Sequence, residues 1–205
     1  MDLGLYKLKY PARRVLQSML PAFRNVAPDV ISWCIIPTGI ATAVAYWFAD
    51  ACPALLLAGA LLIGVRMVLA TLDGLVAETY HRHSRLGEIV NRLPAELADI
   101  MLLAALTLSS PSRHLPGALA LSTAWLTTYS GLIGLIIGRP IQSVGPVGQT
   151  DRLAALIAFS IAGFFAALIG HPFDELKWFL IWCVIGGCLT VALRLWRTMK
   201  RDRWP

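Results

Sequence analysis

Six ionisable residues, Arg66, Asp73, Glu78, Glu88, Glu96 and Asp99, interrupt a strongly apolar stretch of this chain. A charge inside a membrane span is expensive, so each of them needs a reason to be there. Residues three or four apart share a helix face, which puts Arg66, Ala70 and Asp73 on one stripe and Asn91, Ala95 and Asp99 on another. Glu88 extends the second stripe by about one turn. Joined by a short turn at 80–85, the two stripes are expected to face each other and to make a polar cavity just inside the membrane, between the second and third spans. Carboxylates gathered there suit hard divalent cations, which take oxygen ligands. The competing use is ion pairing with Arg66, Arg82, Arg85 and Arg92, and Glu88 and Glu96 each lie four residues from Arg92.

The elements that must position these groups are transmembrane helices. The chain has 205 residues, of which 57% are hydrophobic and 15% charged, with a mean hydropathy of +0.66, too apolar for a soluble domain of this size. Runs at 30–49, 53–71, 94–108, 115–138, 153–170 and 178–195 approach the roughly 20 residues needed to cross a bilayer. The third is short unless it starts near Glu88, which would carry Glu88, Asn91 and Arg92 into the interface. The expected fold is therefore all-α, a bundle of six transmembrane helices forming one domain. An amphipathic interfacial segment occupies 1–29, the membrane domain 30–196 and a basic tail 197–205. The leader lacks the apolar core of a cleavable signal and mixes Val15, Leu16, Met19, Leu20 and Phe23 with basic residues, as a helix lying on the membrane does.

Fifteen of the eighteen Lys and Arg residues flank the same side of these spans, which places both termini in the cytoplasm. A net charge of +6 spread along membrane edges points to anionic lipid headgroups and away from nucleic acid. Cys34, Cys52, Cys183 and Cys188 show no metal-ligand spacing and read as packing residues. Trp33, Trp47, Trp178, Trp196 and Trp204 fall near span ends, where amphipathic rings are stable. Gly131, Gly134, Gly138, Gly186 and Gly187 permit close helix contact, either within the bundle or between protomers of a homodimer. His81 and His83 flank Arg82 in the cytoplasmic turn and are expected to be solvated or to touch headgroups.

Laid along 70–95, the chain resembles the CDP-alcohol phosphatidyltransferase family, whose signature is D-x2-D-G-x2-A-R-x8-G-x3-D-x3-D. The spacing holds without a gap, and Asp73, Gly74, Ala77 and Gly87 match directly. Ala70, Glu78, Asn91 and Ala95 stand where the family has aspartate, arginine, aspartate and aspartate. The likeness continues outside the motif. Residues 27–32, Ala-Pro-Asp-Val-Ile-Ser, resemble the family's T-P-N-x-x-T approach to the first span, and Ser84-Arg85-Leu86-Gly87 resembles its S-x-x-G. Residues 145–152, Gly-Pro-Val-Gly-Gln-Thr-Asp-Arg, resemble the G-P-x-G-K-S-D-R of a bacterial subgroup, with Gln149 in place of lysine.

The resemblance implies a membrane enzyme of phospholipid biosynthesis that transfers a phosphatidyl-type group from a CDP-linked lipid to a small alcohol and releases CMP. It implies a bacterial inner-membrane location and Mg²⁺ or Mn²⁺ as cofactor. It assigns nucleotide binding to Asp73, Gly74, Ala77 and Gly87, and metal binding to Asp73 and, at the third acid position, Asn91; helical spacing adds Glu88, about one turn from Asn91, as a further expected metal ligand. Asp99, one turn deeper than Ala95 on the same face, is the expected substitute for the last aspartate, the catalytic base that deprotonates the alcohol, and Arg139 and Arg152 are expected either to hold a phosphate of the acceptor or to anchor at the interface. Replacement of the motif's acids leaves a second reading open: a catalytically impaired homologue that binds lipid or serves as partner of an active enzyme.

Overall fold

A computed structural model of the chain describes residues 16–82, 85–138, 140–170 and 174–200, without the side chains of 85, 86, 88, 90, 91 and 137. Among the described residues, seven α-helices of six residues or more follow one another: α1 (Pro28–Trp33), α2 (Ile35–Trp47), α3 (Ala54–Thr79), α4 (Arg85–Leu108), α5 (His114–Leu132), α6 (Gln149–Leu168) and α7 (Glu175–Met199). Among the described residues there is no strand.

Among the described residues five segments are long and apolar enough to cross a membrane: Pro28–Trp47, Ala54–Thr79, Pro111–Ile136, Gln149–Leu168 and Glu175–Met199. The expected first span is two helices, α1 and α2, which meet at Cys34. Pro37 falls in the first turn of α2, where its missing N–H leaves no intrahelical bond unmade. The expected third span corresponds to α4, whose 24 residues are sufficient in length. Arg85, Glu88, Arg92, Glu96 and Asp99 keep it outside the apolar class. Elsewhere apolar side chains such as Leu61, Leu115 and Ile169 face outward, as a lipid-facing surface requires.

The interior is a continuous apolar core built around Tyr46, Ile63, Leu106, Leu156, Phe179 and Leu180. Tyr46 is fully buried and its hydroxyl lies 2.6 Å from that of Ser160, which joins α2 to α6 without leaving either hydroxyl unpaired. Helix α4 packs chiefly on α2, and α5 on α7. Of the expected close-contact glycines, Gly131, Gly186 and Gly187 pack inside the chain. A Cβ at Gly186 would overlap Val147, and one at Gly187 would press on Thr123. Gly138, at φ 71°, ends the turn that follows α5.

Of the amphipathic leader, residues 1–15 lie outside the described residues. Leu16 and Leu20 are buried against Leu72, Leu75 and Val76, the last turns of α3. The Tyr80 hydroxyl donates to the Leu20 carbonyl at 3.0 Å, and Arg82 Nη1 to that of Val26 at 3.1 Å. The leader is thus fastened to the end of the helix that carries Asp73. His81 terminates that helix with φ 52°, and the Arg82 N–H closes back onto the Ala77 carbonyl at 2.9 Å.

Candidate functional site

The two stripes expected on α3 and α4 do meet, through Arg66 and Asp99. Arg66 Nη2 lies 2.5 Å from Asp99 Oδ1 and donates to the Ala95 carbonyl at 2.6 Å. Arg152, in the first turn of α6, donates from Nη2 to Asp99 Oδ2 at 3.1 Å. All three side chains are less than a tenth exposed. One carboxylate is therefore clamped between two guanidinium groups, and three helices are joined at one point. The helices bring these groups together because Arg66 and Asp99 are each on the buried face of an amphipathic helix.

Asp73 sits two turns farther along α3, 1% exposed. Its Oδ2 accepts from the Ser32 hydroxyl of α1 at 2.6 Å and its Oδ1 from the Gly74 N–H at 2.6 Å. Two hydrogen bonds to ionised oxygens hold this carboxylate in one orientation. The face of α3 beside it is open. Ala70 and Glu78 are exposed, Ala77 is half-buried, and a Cβ added at Gly74 would meet no atom within 4 Å. Gly87 belongs to α4, half-buried. The side chains of Glu88 and Asn91, like residue Arg139, lie outside the described residues.

A half-open cavity at this end has a volume of about 320 Å³. It lies apart from the place between the second and third spans where Arg66 meets Asp99. Its walls are α4, through Arg92 and Glu96, α5, the 141–148 segment, the start of α6 and Arg194 of α7. Neither Asp73, Asp99 nor Arg152 lines the cavity. Glu96 enters it, accepting from Thr128 at 3.3 Å. Arg194 donates from Nε to the Val144 carbonyl at 2.8 Å and from Nη1 to that of Thr127. Asp151 accepts from the Gly148 N–H at 2.9 Å and so caps α6.

Sequence reasoning placed Arg194 with the basic residues that mark the cytoplasmic side, although it falls inside the last expected span, and that position was the available signal. Glu96 was weighed only as a partner of Arg92. Gln149 was visible as a departure from a resembled motif, and the cavity is what gives that departure a place.

No group of three or more His, Cys, Asp or Glu able to hold a cation occurs among the described residues. Ala70 and Ala95 offer no side-chain oxygen, and Asp99 is already neutralised by two arginines. The described donors therefore do not fit a pair of divalent cations.

Two crystal structures of the Mycobacterium tuberculosis phosphatidylinositol phosphate synthase PgsA1 superpose on this chain with a TM-score of 0.71 and 16% identity. One has CDP-DAG bound and the other is in complex with manganese and citrate. The match covers 95% of this chain in both and 98% and 93% of the synthase, so the two proteins share a fold over nearly their whole length. No protein-family model matches the chain. The chain is 31% identical over 148 residues to the inner membrane protein YnbA of Escherichia coli (strain K12), a span of 69% of this chain and 72% of YnbA. It belongs to the same family as YnbA.

Proposed function

We propose that this is a CDP-alcohol phosphatidyltransferase-like protein of phospholipid biosynthesis in a bacterial inner membrane. It transfers a phosphatidyl-type group from a CDP-linked lipid to a small alcohol and releases CMP. The observation that carries the reading is the immobilised Asp73 carboxylate beside the open face at Gly74, on a fold shared with a synthase that binds CDP-DAG. The nucleotide lies along that face, where Gly74 and Ala77 add little bulk and Gly87 of α4 stands opposite. Helix α4 forms the sixth span, and both termini lie in the cytoplasm, as the distribution of basic residues suggests. The domain boundaries are those read from the sequence, with 30–196 as the membrane unit.

In the reaction the acceptor oxygen forms a bond to the lipid-side phosphorus, the bond from that phosphorus to the CMP oxygen breaks, CMP takes the bonding electron pair, and the hydroxyl proton passes to water. Asp73 is the one described motif acid retained for binding, with Ser32 as its positioning residue. The resemblance implies Mg²⁺ or Mn²⁺, and the described donors build no two-cation cradle, so no step here runs through a cation. Asp99 and Arg152 act together as a structural tie that holds α3, α4 and α6 in register around the site.

Purified protein in nanodiscs, given CDP-diacylglycerol and a panel of small alcohols with Mg²⁺ or Mn²⁺, is expected to release CMP. Absence of release with every acceptor overturns the transferase reading. A second reading, the impaired homologue that binds lipid or partners an active enzyme, is favoured by the clamping of Asp99 between two arginines and by alanine at positions 70 and 95. It predicts saturable CDP-lipid binding without CMP release, and an Asp73→Asn variant with unchanged cellular phenotype and protein level. Anomalous scattering from Mn²⁺-soaked crystals is expected to show no pair of cations, and two peaks roughly 3.5–4 Å apart between α3 and α4 would contradict the donor geometry.

A further inference from the structure

The two alanines that stand at acid positions of the resembled motif, Ala70 and Ala95, flank one cationic side chain. Ala70 follows Arg66 by about one turn of α3, and the Ala95 carbonyl of α4 accepts from Arg66 Nη2 at 2.6 Å. Where the signature carries acids on both helices, this chain carries a guanidinium that links them. Arg66 also lies 2.5 Å from Asp99 Oδ1, and Arg152 approaches Asp99 Oδ2 at 3.1 Å from α6. Arginine stays protonated in proteins. The triad therefore holds two positive charges against one negative, in a place where all three side chains are less than a tenth exposed.

Asp73, the retained motif acid, is no better placed to take a cation. It is 1% exposed, its Oδ2 accepts from Ser32 and its Oδ1 from the Gly74 N–H. Mg²⁺ and Mn²⁺ take about six oxygen ligands and keep several waters, so they need both carboxylates and water access. Asn91, at the third acid position, brings no charge. Glu96 of α4 accepts from Thr128 of α5 at 3.3 Å. The charges of the four dry side chains already cancel, Arg66 and Arg152 against Asp73 and Asp99. A divalent cation would add two uncompensated charges beside two guanidinium groups, and such repulsion grows as water is excluded.

We infer that Arg66 is the resident counter-ion of the centre between α3 and α4, and that this centre takes up no divalent cation, alone or with a CDP-linked lipid. The exclusion of the cation stands on the donor set and its charges; its bearing on CDP-linked lipid rests on the transferase reading.

Titration of Mn²⁺ into the full chain in phosphatidylcholine nanodiscs, with free Mn²⁺ read by electron paramagnetic resonance, tests the inference without any substrate. The native chain and Asp73→Asn are expected to give the same isotherm, and tighter binding by the native chain overturns the inference. Ala70→Asp combined with Ala95→Asp restores carboxylates to both helices. In that background Arg66→Met is expected to tighten Mn²⁺ binding by at least about tenfold, because it removes a like charge from beside the cation. Equal affinity with and without Arg66 denies it the counter-ion role and overturns the inference. Thermal melts identify any variant that fails to fold, and the remaining comparison then decides. CMP release from CDP-diacylglycerol, measured in EDTA and in Mg²⁺, separates this claim from the transferase reading. Equal release in both supports the two together. Release in Mg²⁺ alone upholds the transferase and overturns the inference. No release in either refutes the transferase, and the isotherms then decide the cation claim by themselves.

Discussion

The bundle carries an arginine–aspartate network toward each end, and the two are built with opposite stoichiometry. At the end holding the α2–α3 and α6–α7 connections, Arg113 stands between two carboxylates. Its Nη1 and Nη2 donate to Asp50 at 3.0 and 2.8 Å, and its Nε to Asp174 Oδ1 at 2.9 Å. Toward the other end, Asp99 stands between Arg66 and Arg152. In the first network the outer members remain wet, since the side chains of Asp50 and Asp174 are 49% and 28% exposed. In the second every member is dry. The exposed network is a clasp over three connections, and losing it returns its partners to water. The buried one is a keystone, because removing its single anion strands two cations in a space that water does not reach.

The largest consequence of that difference is expected at Asp99. Asp99→Ala leaves Arg66 and Arg152 buried without their counter-charge and is expected to cost about 3–5 kcal/mol. Arg113→Ala strips hydrogen bonds from two partly solvated carboxylates and is expected to cost about 1–2 kcal/mol, the reduced value reflecting solvent screening. Denaturant melts of the two variants in the same detergent check the order, and equal losses would break the comparison.

Acid titration sharpens it. Burial alone would raise the Asp174 carboxyl, but hydrogen bonds from Arg113, from the Lys177 N–H and from Ser112 outweigh that and hold it below the usual carboxylate range. A carboxyl lowered on folding stabilises the protein above its unfolded value, about 3.9, and loses that contribution as the pH falls through its folded value. The difference in melting temperature between the native chain and Asp174→Asn is therefore expected at pH 6 and should shrink progressively below about pH 4. A difference that persists unchanged in acid would show that the Asp174 charge contributes nothing.

A change of sign is expected between the open and closed faces of the helices. Gly74→Ala places a methyl group where no atom lies within 4 Å and improves helix propensity, so stability should rise by up to about 1 kcal/mol. Gly186→Ala drives a methyl group into Val147 and should lower stability by about 1–3 kcal/mol. Opposite signs in thermal melts would mark one face of α3 as free for a ligand and the face of α7 as sealed.

Much of the frame was legible in the residues themselves. The apolar lengths marked the spans, and spacing along α3 and α4 put Arg66 and Asp99 on faces that do meet. One departure has a physical cause: Pro37 clashes with the carbonyl four residues back, at Trp33, so one helix ends there and the next begins at Ile35, within a run of apolar residues that read as one. Glu96 was read through its neighbour four positions away, because spacing reports only contacts along one helix.

What the chain determined by itself is what depends on near neighbours: which segments prefer lipid to water, which side chains share a face, and between which spans the basic residues gather. Transfer free energy and helical periodicity are local, and they are written in consecutive residues. Only the folded bundle decided that Ser32 would hold Asp73 from 41 positions away and that Arg152 would reach Asp99 from 53. Such pairings depend on how helices lean on one another, and that packing is settled by the shapes of all their faces together.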